Sequence, residues 1–152
     1  MSSPVAFNLK LGAGQRLTMR SEAPGACPGL DAWVDLGGRR SVRLAAYATT
    51  CSTDGNGRIG NGRHGVYRSA ADVPADRRAT AITVQTALGA GIVFSQQYYE
   101  CTNSCSNYTE PVAVIALDHP ADPAFPTLIV ISEKGTIDLD HMTALLREQL
   151  LA

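Results

Sequence analysis

Residues 92–118 read IVFSQQYYECTNSCSNYTEPVAVIALD and contain the pattern that decides the fold. The opening IVFSQQYY is rich in β-branched and aromatic side chains, which predicts a strand. VAVIALD, at 112–118, is a nearly continuous apolar run, which predicts a strand covered on both faces. ECTNSCSNYTEP, at 100–111, is polar and predicts a loop between them. Two strands joined in this way are typical of a mainly β protein.

Further strands are predicted on both sides of this region. DAWVDL and SVRLAAYATT flank Gly37 and Gly38, a dipeptide typical of tight hairpin turns. VAFNLKL and RLTMR alternate apolar with polar residues and predict a separate N-terminal hairpin. TAITVQTAL favours a strand by its period of two, but Asp72 and Pro74 are helix-start signals, so helix and strand both stay open for residues 72–88. TLIVISE predicts one more strand.

One helix is predicted near the C-terminus, where Asp138 or Asp140 supplies the N-cap. Its apolar residues have the spacing of a single amphipathic face: Met142, Leu145, Leu146 and Leu150. We therefore expect residues 1–152 to form a single domain. The predicted fold is mainly β (α+β), an antiparallel β-sandwich-like domain of about nine strands with one C-terminal helix.

Composition excludes several function classes. A formal net charge of −1 gives no reason to expect nucleic acid or an anionic membrane as a partner. The chain has no apolar run of roughly 18 residues, the length that a transmembrane helix requires. Its N-terminus lacks the features of a secretory signal, so a cytoplasmic location is expected. All but two of the 13 basic residues are arginines, which together with abundant Ala and Gly indicates a bacterial source.

Four cysteines allow different chemistries. They predict disulfides Cys101–Cys105 and Cys27–Cys51 in an oxidising compartment, and free thiols otherwise. Bridges would also imply export by a non-standard route. As an alternative, Cys101 and Cys105 could ligate zinc, or act in a Cys-dependent enzyme with a His or Asp partner.

The stretch DGNGRIGNGRHG, residues 54–65, matches G-x-G-x-x-G twice. No apolar helical pattern follows it, which argues against a dinucleotide fingerprint. Gly and Asn tolerate positive φ, so a turn-rich loop is the simplest interpretation. The second alternative function is an anion- or nucleotide-binding sensor, in which Gly amides and the cations of Arg58, Arg63 and His64 hold the anion.

The polar and aromatic cluster FSQQYYECTNSCSNY is the most suggestive feature for function. Tyr side chains and amides are typical of recognition surfaces, and no H-E-x-x-H, G-x-S-x-G or Walker motif is present. We therefore predict a non-catalytic binding or assembly module without a cofactor, which recognises a protein or small ligand. A protein partner or a homo-oligomer is expected, without nucleic acid or membrane. The predicted contact residues are Tyr98, Tyr99, Asn103, Asn107, Tyr108, Arg58, Arg63 and His64.

Overall fold

A computed structural model describes residues 4–19, 29–53 and 66–152. Within them the strands are β1 (Asn8–Leu9), β2 (Arg16–Met19), β3 (Gly29–Gly37), β4 (Arg40–Tyr47), β5 (Ile82–Gln85), β6 (Ala90–Cys101), β7 (Cys105–Ala116), β8 (Thr127–Ile131) and β9 (Leu150–Leu151). The α-helices are α1 (Ala75–Thr80) and α2 (Leu139–Glu148), and 3-10 turns lie at Ala70–Asp72 and Glu133–Gly135. The predicted mainly β fold with a C-terminal helix is confirmed.

The strands form two antiparallel sheets. The larger has seven strands in the order β2-β3-β4-β8-β7-β6-β5, and the smaller pairs β1 with β9. Strand β8 comes late in the chain but lies at the centre of the larger sheet, between β4 and β7. All of its residues, TLIVI, are buried, so a central position covered on both faces suits this apolar sequence.

Alternation along the strands gives the larger sheet two apolar faces. The face that packs against α2, which we call the helix face, shares a core with β1 and β9. Buried members of this core include Leu30, Leu44, Val93, Ile115, Val130, Met142 and Leu146. The other face, which we call the opposite face, is covered by side chains from residues 66–81. Its core includes Val66, Tyr67, Val73, Phe94, Val112 and Ile131.

Helix α2 follows the sequence prediction closely. Asp138 is the N-cap, and its Oδ1 accepts a hydrogen bond of 2.8 Å from the backbone N–H of His141. Met142, Leu145 and Leu146 form its buried face as predicted, whereas the fourth predicted helix residue, Leu150, is buried in β9, beyond the end of α2. None of the described helices has the length and apolar character needed to cross a membrane.

The two predicted hairpins at the N-terminal side have different outcomes. The β3–β4 hairpin is confirmed, with Gly37 and Gly38 at positive φ values of 83° and 61°. The hairpin of VAFNLKL with RLTMR is wrong, because β1 pairs with β9 and β2 pairs with β3. Pairing with β9 places Leu9 against the helix-face core. No local sequence pattern indicates this burial of apolar surface.

Residues 72–88 contain both of the structures that their sequence left open. Helix α1 begins after Pro74 and ends at Thr80, and β5 begins two residues later. The period-two pattern is therefore correct for the second half of the segment. Helix α1 buries none of its residues, so it carries no apolar pattern that could have identified it.

Candidate functional site

Strands β6 and β7 form a hairpin that continues beyond both of its neighbours in the sheet. Their pairing runs from Gly91↔Ile115 to Cys101↔Cys105. Strand β5 stops pairing with β6 at Val93, and β8 stops pairing with β7 at Val112. Beyond this point residues 96–101 and 105–110 form a two-stranded ribbon, which pairs with no other described strand. The predicted loop at 100–111 is therefore wrong except at the turn 102–104.

The ribbon is closed at its tip by a disulfide between Cys101 and Cys105, which confirms this predicted bridge. The two residues face each other across the strands and are both exposed. Cys51 is also disulfide-bonded, but it is buried, with 2% of its surface exposed. Its predicted partner, Cys27, lies outside the described residues. Zinc is ligated by thiolates, so the alternative zinc site would require Cys101 and Cys105 in their reduced form.

One side of the ribbon carries stacked tyrosine rings and contacts Lys134, from the turn after β8. The rings of Tyr98 and Tyr108 face each other across the strands with centroids 6.2 Å apart, and Tyr98 is only 5% exposed. Lys134, from the turn after β8, has its Nζ 5.9 Å from the Tyr108 ring centroid. The same Nζ lies 3.6 Å from Glu100 Oε2. We call this side of the ribbon the anchored face.

A buried polar network holds the base of the anchored face. Glu110 is fully buried, and its Oε2 accepts a hydrogen bond of 2.7 Å from the backbone N–H of Lys134. Its Oε1 accepts a hydrogen bond of 3.3 Å from Gln96 Nε2. Gln96 Oε1 in turn accepts hydrogen bonds from Arg77 Nη1 at 3.2 Å and from Tyr67 Oη at 3.5 Å. These bonds join α1, the turn after β8 and the ribbon.

The turn after β8 fits closely against the ribbon at Gly135. Gly135 has a φ of 66°, in the left-handed region, and a Cβ at this position would overlap the carbonyl oxygen of Thr109. The neighbouring Lys134 also has a positive φ, of 63°. Only glycine therefore allows the turn to approach the ribbon so closely. In this position the backbone N–H of Lys134 donates to Glu110 and that of Gly135 donates to the carbonyl oxygen of Ser132.

The other side of the ribbon faces outward, and we call it the recognition face. It consists of two cross-strand pairs, Gln97↔Thr109 and Tyr99↔Asn107, whose four side chains are all exposed. Gln97 Nε2 donates a hydrogen bond of 3.0 Å to Thr109 Oγ1, and 64% of the surface of Tyr99 is exposed. The face combines a large aromatic ring with hydrogen-bonding groups and has no charged side chain.

A cleft of about 520 Å³ lies at the base of the recognition face. Thr109 belongs to both surfaces, so the face and the cleft are continuous. The cleft is lined by Ser95, Thr109, Pro111, Gly135, Ile137, Asp138, Leu139 and Asp140. Its outer wall is thus the first turn of α2, where the exposed Leu139 adds apolar area and two aspartates add negative charge.

A second polar cluster lies on the opposite face of the sheet, on β3 and β4. Arg43 Nε donates a hydrogen bond of 2.9 Å to Asp31 Oδ1, and Arg43 Nη2 donates one of 3.1 Å to Tyr47 Oη. Burial lowers the pKa of Arg43, but the hydrogen bond and charge of Asp31, with smaller contributions from Tyr47 and Glu133, outweigh burial, and the net direction is upward. Arg43 is therefore charged, and its ion pair with Asp31 links β4 to β3.

The predicted contact residues of the cysteine region occupy different parts of the ribbon. Tyr99 and Asn107 are on the recognition face, Asn103 is exposed at the tip, and Tyr98 and Tyr108 stack on the anchored face. The structure therefore brings these residues together in one element but divides them between its two sides. Arg58, Arg63 and His64, the predicted residues of the Gly-rich stretch, lie outside the described residues.

Five residues that shape the site were not among the predicted contact residues, although Gln97 lies in the predicted polar and aromatic cluster: Gln97, Thr109, Glu110, Lys134 and Gly135. One signal was available for the first three. If Cys101 and Cys105 are taken as a facing pair, counting outward gives the register of the whole ribbon. No comparable signal marks Lys134 and Gly135, because their contact with the ribbon joins segments far apart in the chain.

Comparison of the chain with protein-family models, curated proteins and solved structures gives no significant match. Among the described residues, no group of three or more His, Cys, Asp or Glu side chains is arranged to hold a metal ion.

Proposed function

We propose that this protein is a non-catalytic binding module that recognises a partner protein through the recognition face of the ribbon. The observation that carries the proposal is the extension of the β6–β7 hairpin beyond β5 and β8, with Tyr99 64% exposed on an outward side. An exposed tyrosine among amides and hydroxyls supplies apolar contact area together with hydrogen bonds.

The chemistry of the recognition face favours protein over nucleic acid. Its side chains, from Gln97, Tyr99, Asn107 and Thr109, carry no charge. Nucleic-acid binding depends largely on Lys and Arg contacts to phosphates, whereas the centres of protein interfaces are depleted in charge and enriched in tyrosine. The adjoining cleft extends the contact area toward α2 and can receive a side chain of the partner.

The anchored face supports this role because it orders the ribbon before any partner arrives. Stacking of Tyr98 on Tyr108 and the hydrogen bonds of Glu110 hold the strands in place on the side opposite the recognition face. A preformed surface loses less conformational entropy on binding than a loop that must first be ordered. The recognition face can therefore bind with the geometry that it already has.

Site-specific photo-crosslinking tests the proposal in the cells that produce the protein. A photoreactive amino acid replaces Tyr99 or Asn107, and a matched control replaces Met19, which is 55% exposed on β2 at the far edge of the sheet. We expect the same discrete protein adduct from the two ribbon positions and none of it from Met19. Equal adducts from all three positions would contradict the proposal.

The captured protein is then purified and titrated against wild-type and variant chains. Tyr99→Ala is expected to raise Kd by about tenfold to thirtyfold, the effect of removing a central aromatic contact. Tyr99→Phe retains the ring and should lose less affinity. Unchanged binding by Tyr99→Ala would place the contact surface elsewhere.

A further inference from the structure

The disulfide at the ribbon tip differs in accessibility from the other disulfide-bonded cysteine described. Cys101 and Cys105 are both exposed, whereas Cys51 is 2% exposed. Thiol–disulfide exchange requires a thiolate to approach a sulfur atom, so exposure determines which bridge a reductant reaches first. A reductant in solution therefore meets the tip bridge without any unfolding of the domain.

The tip disulfide also contributes little to holding the whole domain together. It joins residues only four positions apart, and a small closed loop restricts the unfolded chain less than a large one. The base of the ribbon is attached to the domain through the hydrogen bond of Glu110 with Lys134, and the Tyr98–Tyr108 stack joins its two strands. Opening the bridge should accordingly leave the domain folded.

Among the described contacts, the outer part of the ribbon adds to the bridge and its own strand pairing only the partly exposed ion pair of Glu100 with Lys134, a kind of contact that stabilises little. The pairs Tyr99↔Asn107 and Glu100↔Ser106 lie between the stacked tyrosines and the disulfide. No other described strand pairs with them, and two-stranded hairpins without further support are only marginally stable in water. The disulfide is therefore the covalent link nearest to the segment that presents Tyr99.

We infer that the Cys101–Cys105 disulfide is a redox switch, at which a dithiol reductant opens the bridge and loosens the outer recognition face. A thiolate of the dithiol attacks one cysteine sulfur, the S–S bond breaks, and a mixed disulfide forms. The second thiolate of the reductant displaces that sulfur. The reductant leaves oxidised as a disulfide, and Cys101 and Cys105 take up two protons as thiols. The regulatory meaning of the switch rests on the proposed function.

The switch can be tested on the purified full chain without a partner. The native protein is equilibrated with graded dithiothreitol, its thiols are alkylated, and the modified cysteines are identified by mass spectrometry. We expect Cys101 and Cys105 to react at concentrations that leave Cys51 bonded. Simultaneous reduction of all three would overturn the inference, since the tip bridge would then have no separate response.

Hydrogen exchange on the same samples measures the conformational effect. Reduction should accelerate exchange by about tenfold or more at amides in 99–101 and 105–107, while 112–115 and 128–131 in the central strands remain protected. The variant Cys101→Ser/Cys105→Ser should show the open pattern without reductant and should not respond to it. Identical exchange in the oxidised and reduced proteins would overturn the switch.

Crosslinking from position 99 separates this inference from the proposed function. Weaker adduct formation in the Cys101→Ser/Cys105→Ser background supports redox control of recognition. Equal adducts in both backgrounds would preserve the proposed function and overturn the control. If the oxidised protein forms no adduct, the proposed function fails, and the exchange data still decide whether the ribbon is a switch.

Discussion

Replacement of Gly135 by alanine tests whether the turn after β8 holds the ribbon in place. Alanine at a φ of 66° costs about 1 kcal/mol from backbone conformation alone. Its Cβ would also overlap the carbonyl oxygen of Thr109, so the turn must move away from β7. That movement disrupts the 2.7 Å hydrogen bond from Lys134 N–H to buried Glu110, at a cost of about 1–3 kcal/mol. We therefore expect Gly135→Ala to lower the free energy of unfolding by about 3 kcal/mol.

Gly14 provides a matched control for the backbone contribution. It has a φ of 79°, but nothing lies within 4 Å of the position of a Cβ. Gly14→Ala should therefore lose only about 1 kcal/mol. For a domain of this size, each kcal/mol corresponds to about 2–4 °C in Tm. Thermal unfolding under non-reducing conditions should show a decrease of about 6–12 °C for Gly135→Ala and about 2–4 °C for Gly14→Ala.

Asparagine distinguishes backbone strain from steric overlap, because it tolerates left-handed φ better than alanine. Gly14→Asn should regain most of the stability that Gly14→Ala loses. Gly135→Asn should regain little, since its Cβ meets the same carbonyl oxygen of Thr109. Equal losses at Gly14 and Gly135, or recovery by Gly135→Asn, would refute the claim that close approach of this turn fixes the ribbon.

The two sides of the ribbon should respond differently to side-chain truncation. Tyr98→Ala removes a ring that is 5% exposed and should lower the free energy of unfolding in urea by about 3 kcal/mol. Tyr99→Ala, at 64% exposure, should change it by no more than about 0.5 kcal/mol. Similar losses from the two variants would mean that the faces are assigned incorrectly. Glu110→Ala leaves donors of Gln96 and Lys134 without this acceptor and should cost about 2–4 kcal/mol in the same assay. A change below about 0.5 kcal/mol would exclude the network as an anchor.

The strands and helix that sequence predicted correctly are those whose periodicity records their own burial. VAVIALD and TLIVISE are apolar on both sides because β7 and β8 are covered on both faces. The spacing of Met142, Leu145 and Leu146 reports one buried helix face. In these cases a local pattern and the final packing carry the same information.

The ribbon and the pairing of β1 could not be predicted from a local pattern, because the residues that stabilise them are far apart in the chain. ECTNSCSNYTEP is polar, which resembles a loop, yet its residues pair across the strands. Glutamate is usually exposed, so the sequence does not indicate that Glu110 is buried. Its burial depends on a network that includes Arg77 and Lys134, which come together only after folding. The β1–β9 pairing likewise joins the two ends of the described chain.

The anchored face changes chemistry along the hairpin in a way that bears on the proposed role. The last facing pair before the ribbon on this side of the hairpin, Phe94↔Val112, is apolar, whereas the first pair of the anchored face, Gln96↔Glu110, is polar and buried. An apolar pair would have been the less costly way to cover this position, since buried polar groups stabilise only when they are satisfied. Hydrogen bonds are directional, however, and apolar contacts are not. The hydrogen bonds of Glu110 therefore favour one orientation of the ribbon over others with similar packing. The proposed role requires such a single orientation, because it depends on a surface whose geometry exists before binding.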